Sequence, residues 1–278
     1  MSFDQFLDPF PLPGLFVSII LLLMFVIEVG FRRGMAHRPK SVKAQTAQVR
    51  AIMVANLGLL AFMLAFTFST AQQHYETRVQ HMVDEARIAG TAFLQADFLE
   101  EPTSTRAKAL LYQYISDRLE LQNLIKQDRV PEMMAIVIKA EDLQRELWGL
   151  LASPGSEGGA AADPKARNEP FVNDIIGLID IHNLRIQAAL MNRIPVIVWL
   201  SLFFTAIMAM LVVGYQAGLT GKRTPIATYS LAVVFSAVMM LITDLDRPRM
   251  SMFEINNQIM INLHGKMGLE LGHPRVTE

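Results

Sequence analysis

Four stretches of this 278-residue chain are long and apolar enough to cross a lipid bilayer, and no other feature constrains its fold so tightly. A crossing helix takes about 20 apolar residues. Within hydrocarbon, only helices and closed barrels satisfy every backbone N–H and C=O. The stretches are residues 15–30, 51–71, 194–214 and 224–243. The first is the shortest and carries Glu28. It could pass for a signal peptide, but Asp4 and Asp8 precede it without Lys or Arg, and no small-x-small cleavage site follows. Hydrophobic residues make up 52% of the chain and charged residues 18%, against roughly 25% charge in ordinary soluble domains. The predicted class is an all-α membrane protein with four transmembrane helices.

Several functions are excluded by what the chain lacks. It has no cysteine, so disulfides, thiolate nucleophiles and Cys-bound zinc or iron–sulfur sites are ruled out. The net charge of −1 gives no footing for nucleic acid. There is no Ser/His/Asp order, His-rich metal motif or phosphate loop. We therefore expect no enzyme, no catalytic residue, no cofactor and no metal.

Orientation follows from basic residues in short loops. Arg32, Arg33, Arg38, Lys40, Lys43 and Arg50 follow the first stretch, and no acid falls between Glu28 and Glu76. Lys222 and Arg223 separate the third and fourth stretches. Both loops are predicted to be cytoplasmic, and the two predictions agree, since an even number of crossings separates them. Both termini and residues 72–193 then lie outside a bacterial inner membrane. That outer region holds 13 basic and 18 acidic residues, so it does not compete for the inside.

The expected organisation is 1–71 (first crossing, basic loop, second crossing), 72–193 (outer domain), 194–243 (third and fourth crossings) and 244–278 (outer C-terminal segment). Residues 72–99 carry no Pro and should continue the second crossing as a helix. Residues 103–125 read as a helix with Thr103 or Ser104 as N-cap, and 131–151 as another that opens on Pro131. Residues 153–170 are rich in Gly, Ala and Pro and read as a flexible linker. Residues 171–192 read as a fourth helix running directly into the third crossing. Four helices with short connections suggest an antiparallel bundle.

Two heptad stripes carry ionisable residues. Phe171, Ile175, Leu178, His182, Arg185 and Ala189 share one helix face, and Ala71, Tyr75, Arg78, Met82, Glu85, Ala89 and Ala92 share another. At ~1.5 Å per residue, Arg78 stands about 10 Å above the second crossing and Glu85 about 21 Å, with Arg185 and His182 about 13 and 18 Å from the third. If the helices are neighbours, Glu85 comes level with His182, and Arg185 reaches either. Arg78, Glu85, His182 and Arg185 then form a buried polar network, because buried charges are paired. Such a network serves either helix register or a ligand, proton or cation site. His74 and His81, with Glu85 four residues after His81, lack a second His at i+4 and read as solvated histidines rather than a metal site.

The same segments carry a family resemblance. IEVGFRRG at residues 27–34, DEARIAGTAFLQADFLEEP at 84–102, LLYQYISDRLEL at 110–121, IDIHNLRIQAALMNRIP at 179–195 and LDRP at 245–248 occur in order along the chain. Together they resemble the bestrophin-like family of integral membrane proteins, whose function is unassigned. The sequence departs from the family pattern after LDRP, where Arg249 and Ser251 stand in place of Phe-x-Gly. The family name implies a distant likeness to chloride channels, but no motif here licenses chloride selectivity. The topology read from the basic loops would also put both termini outside, unlike bestrophins.

Acids mark both membrane faces. Glu28 has Arg32 four residues on, a helix-end pair or a functional acid. Ser236, Met240 and Asp244 fall at successive i, i+4 steps, with Thr243 a heptad after Ser236. A helix bearing Ser230, Ser236 and Thr243 and ending in Asp244 and Asp246 suits a pore lining, and a ring of such acids favours cations. The plainer alternative has Asp246, Arg247 and Pro248 capping the helix and turning the chain. Beyond it, Met252, Phe253, Ile255, Ile259 and Leu263 spread along one side of an interfacial or bundle-packed segment. Glu28, Ser236, Thr243, Asp244 and Asp246 are thus the candidate pore or ion-binding residues. The expected function is a homo-oligomeric, cation-conducting channel whose partners are the lipid bilayer, inorganic ions and further copies of the chain. The alternative is a membrane-anchored sensory or interaction protein whose outer bundle binds a ligand or partner. Cytoplasmic loops of only about 20 and about 10 residues leave no room for a signalling module.

Overall fold

The computed structural model describes residues 12–37, 43–127, 129–152, 164–190, 193–221, 223, 225–247 and 256–273. Among the described residues the chain is all-α. It forms α1 (Leu12–Ala36), α2 (Lys43–Gln95), α3 (Thr103–Lys126), α4 (Val130–Ala152), α5 (Pro164–Leu190), α6 (Val196–Thr220), α7 (Pro225–Asp246) and α8 (Gln258–Glu270). A single 3-10 turn, Ala96–Phe98, follows α2. Four of the helices, α1, α2, α6 and α7, are long and apolar enough to cross a membrane. The contacts divide the chain into two units, one from residues 1–75 and 193–247, the other from 76–192 and 248–278.

The first unit is built on close contact between α1 and α6. In lipid no hydrophobic force drives helices together, so small residues that let backbones approach do that work. Gly30 and Gly34 of α1 face Gly214 and Gly218 of α6. A Cβ on Gly214 would lie 2.0 Å from the Ile27 carbonyl oxygen, and one on Gly34 would lie 2.2 Å from that of Tyr215. Leu23, Leu60, Trp199, Leu202, Met210 and Met239 fill the core. Phe25, Phe62, Phe66, Phe204 and Ile226 are all exposed. In water such a surface is a liability, whereas acyl chains accept it. Gly221 ends α6 in the left-handed region (φ 66°), its N–H bonded to the carbonyls of Ala217 and Gly218.

The second unit has its own core. Met82, Ala89 and Phe93 of α2 meet Leu111, Tyr114 and Ile115 of α3, Leu147 of α4, Phe171, Ile175 and Leu178 of α5, and Met260 and Met267 of α8. The alanines of α2 allow close packing, and the 3-4 spacing on α5 places its apolar residues on one inward stripe.

Four local expectations are corrected. The N-cap of α3 is Pro102; Thr103 and Ser104 lie inside the first turn, and the Glu101 carboxylate accepts the Thr105 hydroxyl at 2.8 Å. Helix α5 opens at Pro164 and contains Pro170, so the linker expected over 153–170 is shorter. Pro164 suits a first turn, Pro170 forfeits one hydrogen bond, and Lys165, Ala166 and Arg167 favour helix. Residues 153–163 lie outside the described residues. Helix α5 does not run into α6. It ends at Leu190, and Ile194 is not helical, because a proline disfavours helical geometry in the residue before it; Pro195, with ψ 140°, is the N-cap of α6. On α8 the buried positions are Met260, Met267 and Gly268, while Ile259 is exposed and Leu263 half-buried. A heptad beginning at Met260, rather than at Ile259, faces the core. Met252, Phe253 and Ile255 lie outside the described residues.

Candidate functional site

Three helices of the second unit converge on Glu85, whose side chain is fully buried. Two of its neighbours come from α3, where Tyr114 and Arg118 are one turn apart and share a face. Tyr114 donates its hydroxyl proton to Glu85 Oε1, and Arg118 Nε donates to the same oxygen at 2.8 Å. Arg185 of α5 donates to Glu85 Oε2. The Tyr114 hydroxyl also accepts from Arg118 Nη2 at 3.1 Å. His182 of α5 joins through Arg118, whose Nη2 lies 2.6 Å from His182 Nδ1.

The electrostatics follow from burial. A guanidinium can only donate, so His182 Nδ1 must accept, and its proton is placed on Nε2. Burial first, and then the positive charge of Arg118, lower the His182 pKa to about 4, so the ring is neutral near pH 7. Its Nε2 is buried without a hydrogen-bond partner among the described residues. Burial raises the Tyr114 pKa and keeps the phenol a donor. Burial lowers the Arg185 pKa to about 10, which leaves it charged at neutral pH. One carboxylate thus faces two guanidinium groups, a net positive cluster.

Of the four network residues read from the stripes, Glu85 and Arg185 touch directly, and His182 reaches Glu85 only through Arg118. Arg78 lies one heptad before Glu85 on α2, half-buried. Tyr114 and Arg118 escaped the heptad argument, which compared α2 with α5 alone. Their signal was an i, i+4 Tyr/Arg pair within LLYQYISDRLEL.

A second polar cluster lies within the first unit, at the end of α7. Asp246 Oδ1 accepts the Ile194 backbone N–H at 3.0 Å and stands 3.6 Å from His74 Nδ1, within ion-pair range. Asp244, Asp246 and Arg247 are all buried. Thr243 donates its hydroxyl to the Met239 carbonyl at 2.8 Å. Further along α7, Ser236 is fully buried, and its hydroxyl has no hydrogen-bond partner among the described residues. Thr67 of α2 is also buried and bonds its own helix. The polar stripe of α7 therefore turns into its own unit. The outward positions include Ile226, Ala227, Tyr229, Ser230, Val233, Val234 and Ala237. Exposed acids at a shared mouth are not what the single chain presents. Pro248 lies outside the described residues. His74 was read as solvated, and its partner, Asp246, is 172 residues away in sequence.

Glu28 stands apart from both clusters. Its Oε1 accepts from Arg32 Nε at 2.9 Å and lies 3.4 Å from Arg223 Nη2. Among the described residues, no group of three His, Asp or Glu side chains is arranged to hold a metal ion.

The family model described as "Bestrophin-like domain" matches residues 14–251. No curated protein and no solved structure matches the chain.

Proposed function

The chain belongs to the bestrophin-like family, and we propose that it acts as a homo-oligomeric membrane channel passing cations along the inward polar stripe of α7. One observation carries this reading. Ser236, Thr243, Asp244 and Asp246 are buried in a helix of membrane-crossing composition, where polar groups are costly and mark ion paths. Asp244, Asp246 and Arg247 carry a formal sum of one negative charge, which favours a cation. This moves the path from a shared axis, where the outward face of α7 offers mostly apolar residues, to the interior of each protomer. Purified protein in liposomes should release a cation load that empty liposomes retain, and Asp244→Asn should slow the release. Tight liposomes would count against conduction.

In the same reading the membrane is a bacterial inner membrane, with residues 72–193 and both termini outside. The basic loops support this placement. Cysteines introduced at Ser2 and Gly158 should react with an impermeant thiol reagent in intact cells, and one at Ser41 should not. The reverse pattern overturns the topology.

A sensory or interaction role draws on a different observation. Leu94, Phe98, Met134 and Ile138 of the second unit are all more than half exposed. Exposed apolar side chains of that size suit a protein partner. If the liposomes stay tight, this reading replaces conduction.

A further inference from the structure

Beside the turn from α6 into α7, the first unit holds a shallow, open recess of about 30 Å³, whose lining includes Ile27, Glu28, Phe31, Gly214, Arg223 and Tyr229. Glu28 and Arg223 line it, and Arg32 joins them from outside the recess through its bond to Glu28. Both contacts to Glu28 fall on Oε1, so Oε2 can still accept a hydrogen bond. The Arg223 guanidinium lies 4.3 Å from the centroid of the Phe31 ring, within cation–π range. The side chains of Arg32 and Arg223 remain 77% and 58% exposed, so their outer N–H groups face away from the protein.

Depth places this cluster. Helix α7 has 22 residues and starts at Pro225. At ~1.5 Å per residue it spans about 33 Å, close to the thickness of the hydrocarbon core. Arg223, two residues before it, then sits at headgroup level. Ile226 is 86% exposed just inside, and Tyr229 lines the apolar side of the recess.

We infer that the mouth of this recess holds the headgroup of a zwitterionic aminophospholipid, its phosphate on Arg223 and Arg32 and its ammonium on Glu28. Two guanidiniums against one carboxylate leave room for one more negative charge, which a phosphate supplies. A primary ammonium offers three N–H donors to the carboxylate. A trimethylammonium offers none, and a headgroup without an amine leaves Glu28 facing further negative charge. The recess is too small to enclose a whole headgroup, so the headgroup sits across its mouth, against the exposed guanidiniums, and the acyl chains stay in the bilayer against Ile226 and Tyr229. The inference rests on the membrane placement of α1, α6 and α7 and is independent of ion conduction.

Native mass spectrometry of the full chain in detergent tests it, with phosphatidylethanolamine, phosphatidylcholine and phosphatidylglycerol of matched acyl chains. The ethanolamine lipid should be retained about tenfold better than either other lipid, the worth of one charge-assisted contact. Glu28→Gln should abolish its advantage over phosphatidylglycerol. Arg223→Ala removes an exposed side chain outside the helices and should weaken retention of both phosphatidylethanolamine and phosphatidylglycerol. Soluble phosphoethanolamine at millimolar concentration should not displace the lipid. Equal retention of the three lipids, unchanged retention in both variants, or displacement by the soluble headgroup overturns the assignment.

Discussion

Asp246, in the last turn of α7, accepts the backbone N–H of Ile194 at 3.0 Å, just before α6 begins. The bond ties two crossing helices together at one end and satisfies a donor that the proline break leaves without a helical partner. Removing the acceptor strands a buried N–H, which costs about 1–3 kcal/mol. Asp246→Ala should lower the thermal midpoint in detergent accordingly. Asp246→Asn keeps an oxygen in place and should lower it less. Equal midpoints for the two variants would show that the Ile194 bond contributes nothing.

Glu85 compensates two buried guanidinium groups. Glu85→Ala leaves Arg118 and Arg185 facing each other without a carboxylate, a loss of about 3–5 kcal/mol. Tyr114→Phe removes one donor to the same oxygen and should cost about 1 kcal/mol. Urea unfolding of the two variants should give that order. A Glu85→Ala protein as stable as the parent would contradict the geometry.

His182 predicts a pH dependence. Its folded pKa of about 4 lies below the ordinary 6.5. Between those values the unfolded chain binds a proton that the folded chain refuses. The contribution is therefore complete above pH 6.5 and is lost as the pH falls toward 4. The loss amounts to roughly 3 kcal/mol. His182→Asn retains an acceptor for Arg118 without titrating there. Stability measured from pH 7 to pH 4 should fall less steeply in the variant, and identical slopes would remove His182 from the account.

Gly214 permits the contact of α1 with α6. A methyl group there meets the Ile27 carbonyl oxygen at 2.0 Å, and backbone cannot swing aside as a side chain can. Gly214→Ala should therefore cost about 3 kcal/mol or more. Gly58, around which nothing lies within 4 Å, is the control, and Gly58→Ala should be close to neutral. A Gly214→Ala protein with an unshifted thermal midpoint would argue against the tight pair.

The sequence and the structure agree most closely where periodicity and burial express the same fact. The crossings were legible because an apolar run of bilayer length has few alternatives. The inward faces of α2 and α5 were legible because 3-4 spacing admits one stripe. Tyr114 and Arg118 lie on a buried 3-4 stripe of α3 with Ala107, Leu111 and Leu121, but spacing within one helix does not say which neighbour its face meets. The bond from Ile194 to Asp246 depends on a proline break and on a partner 52 residues away, which local pattern does not encode. Spacing marked Ser236, Thr243 and Asp244 as a polar face of α7, but spacing is silent on which neighbour a face meets. In the structure that neighbour is the rest of the same unit.

The central claim is that cations pass along the buried polar stripe of α7. The most direct measurement is the reversal potential of currents through the purified protein in a planar bilayer under a potassium chloride gradient. The account predicts a reversal potential near that of potassium, with the current reduced by Asp244→Asn most strongly at low salt, where charge is least screened. No current, or a reversal potential near that of chloride, would contradict it.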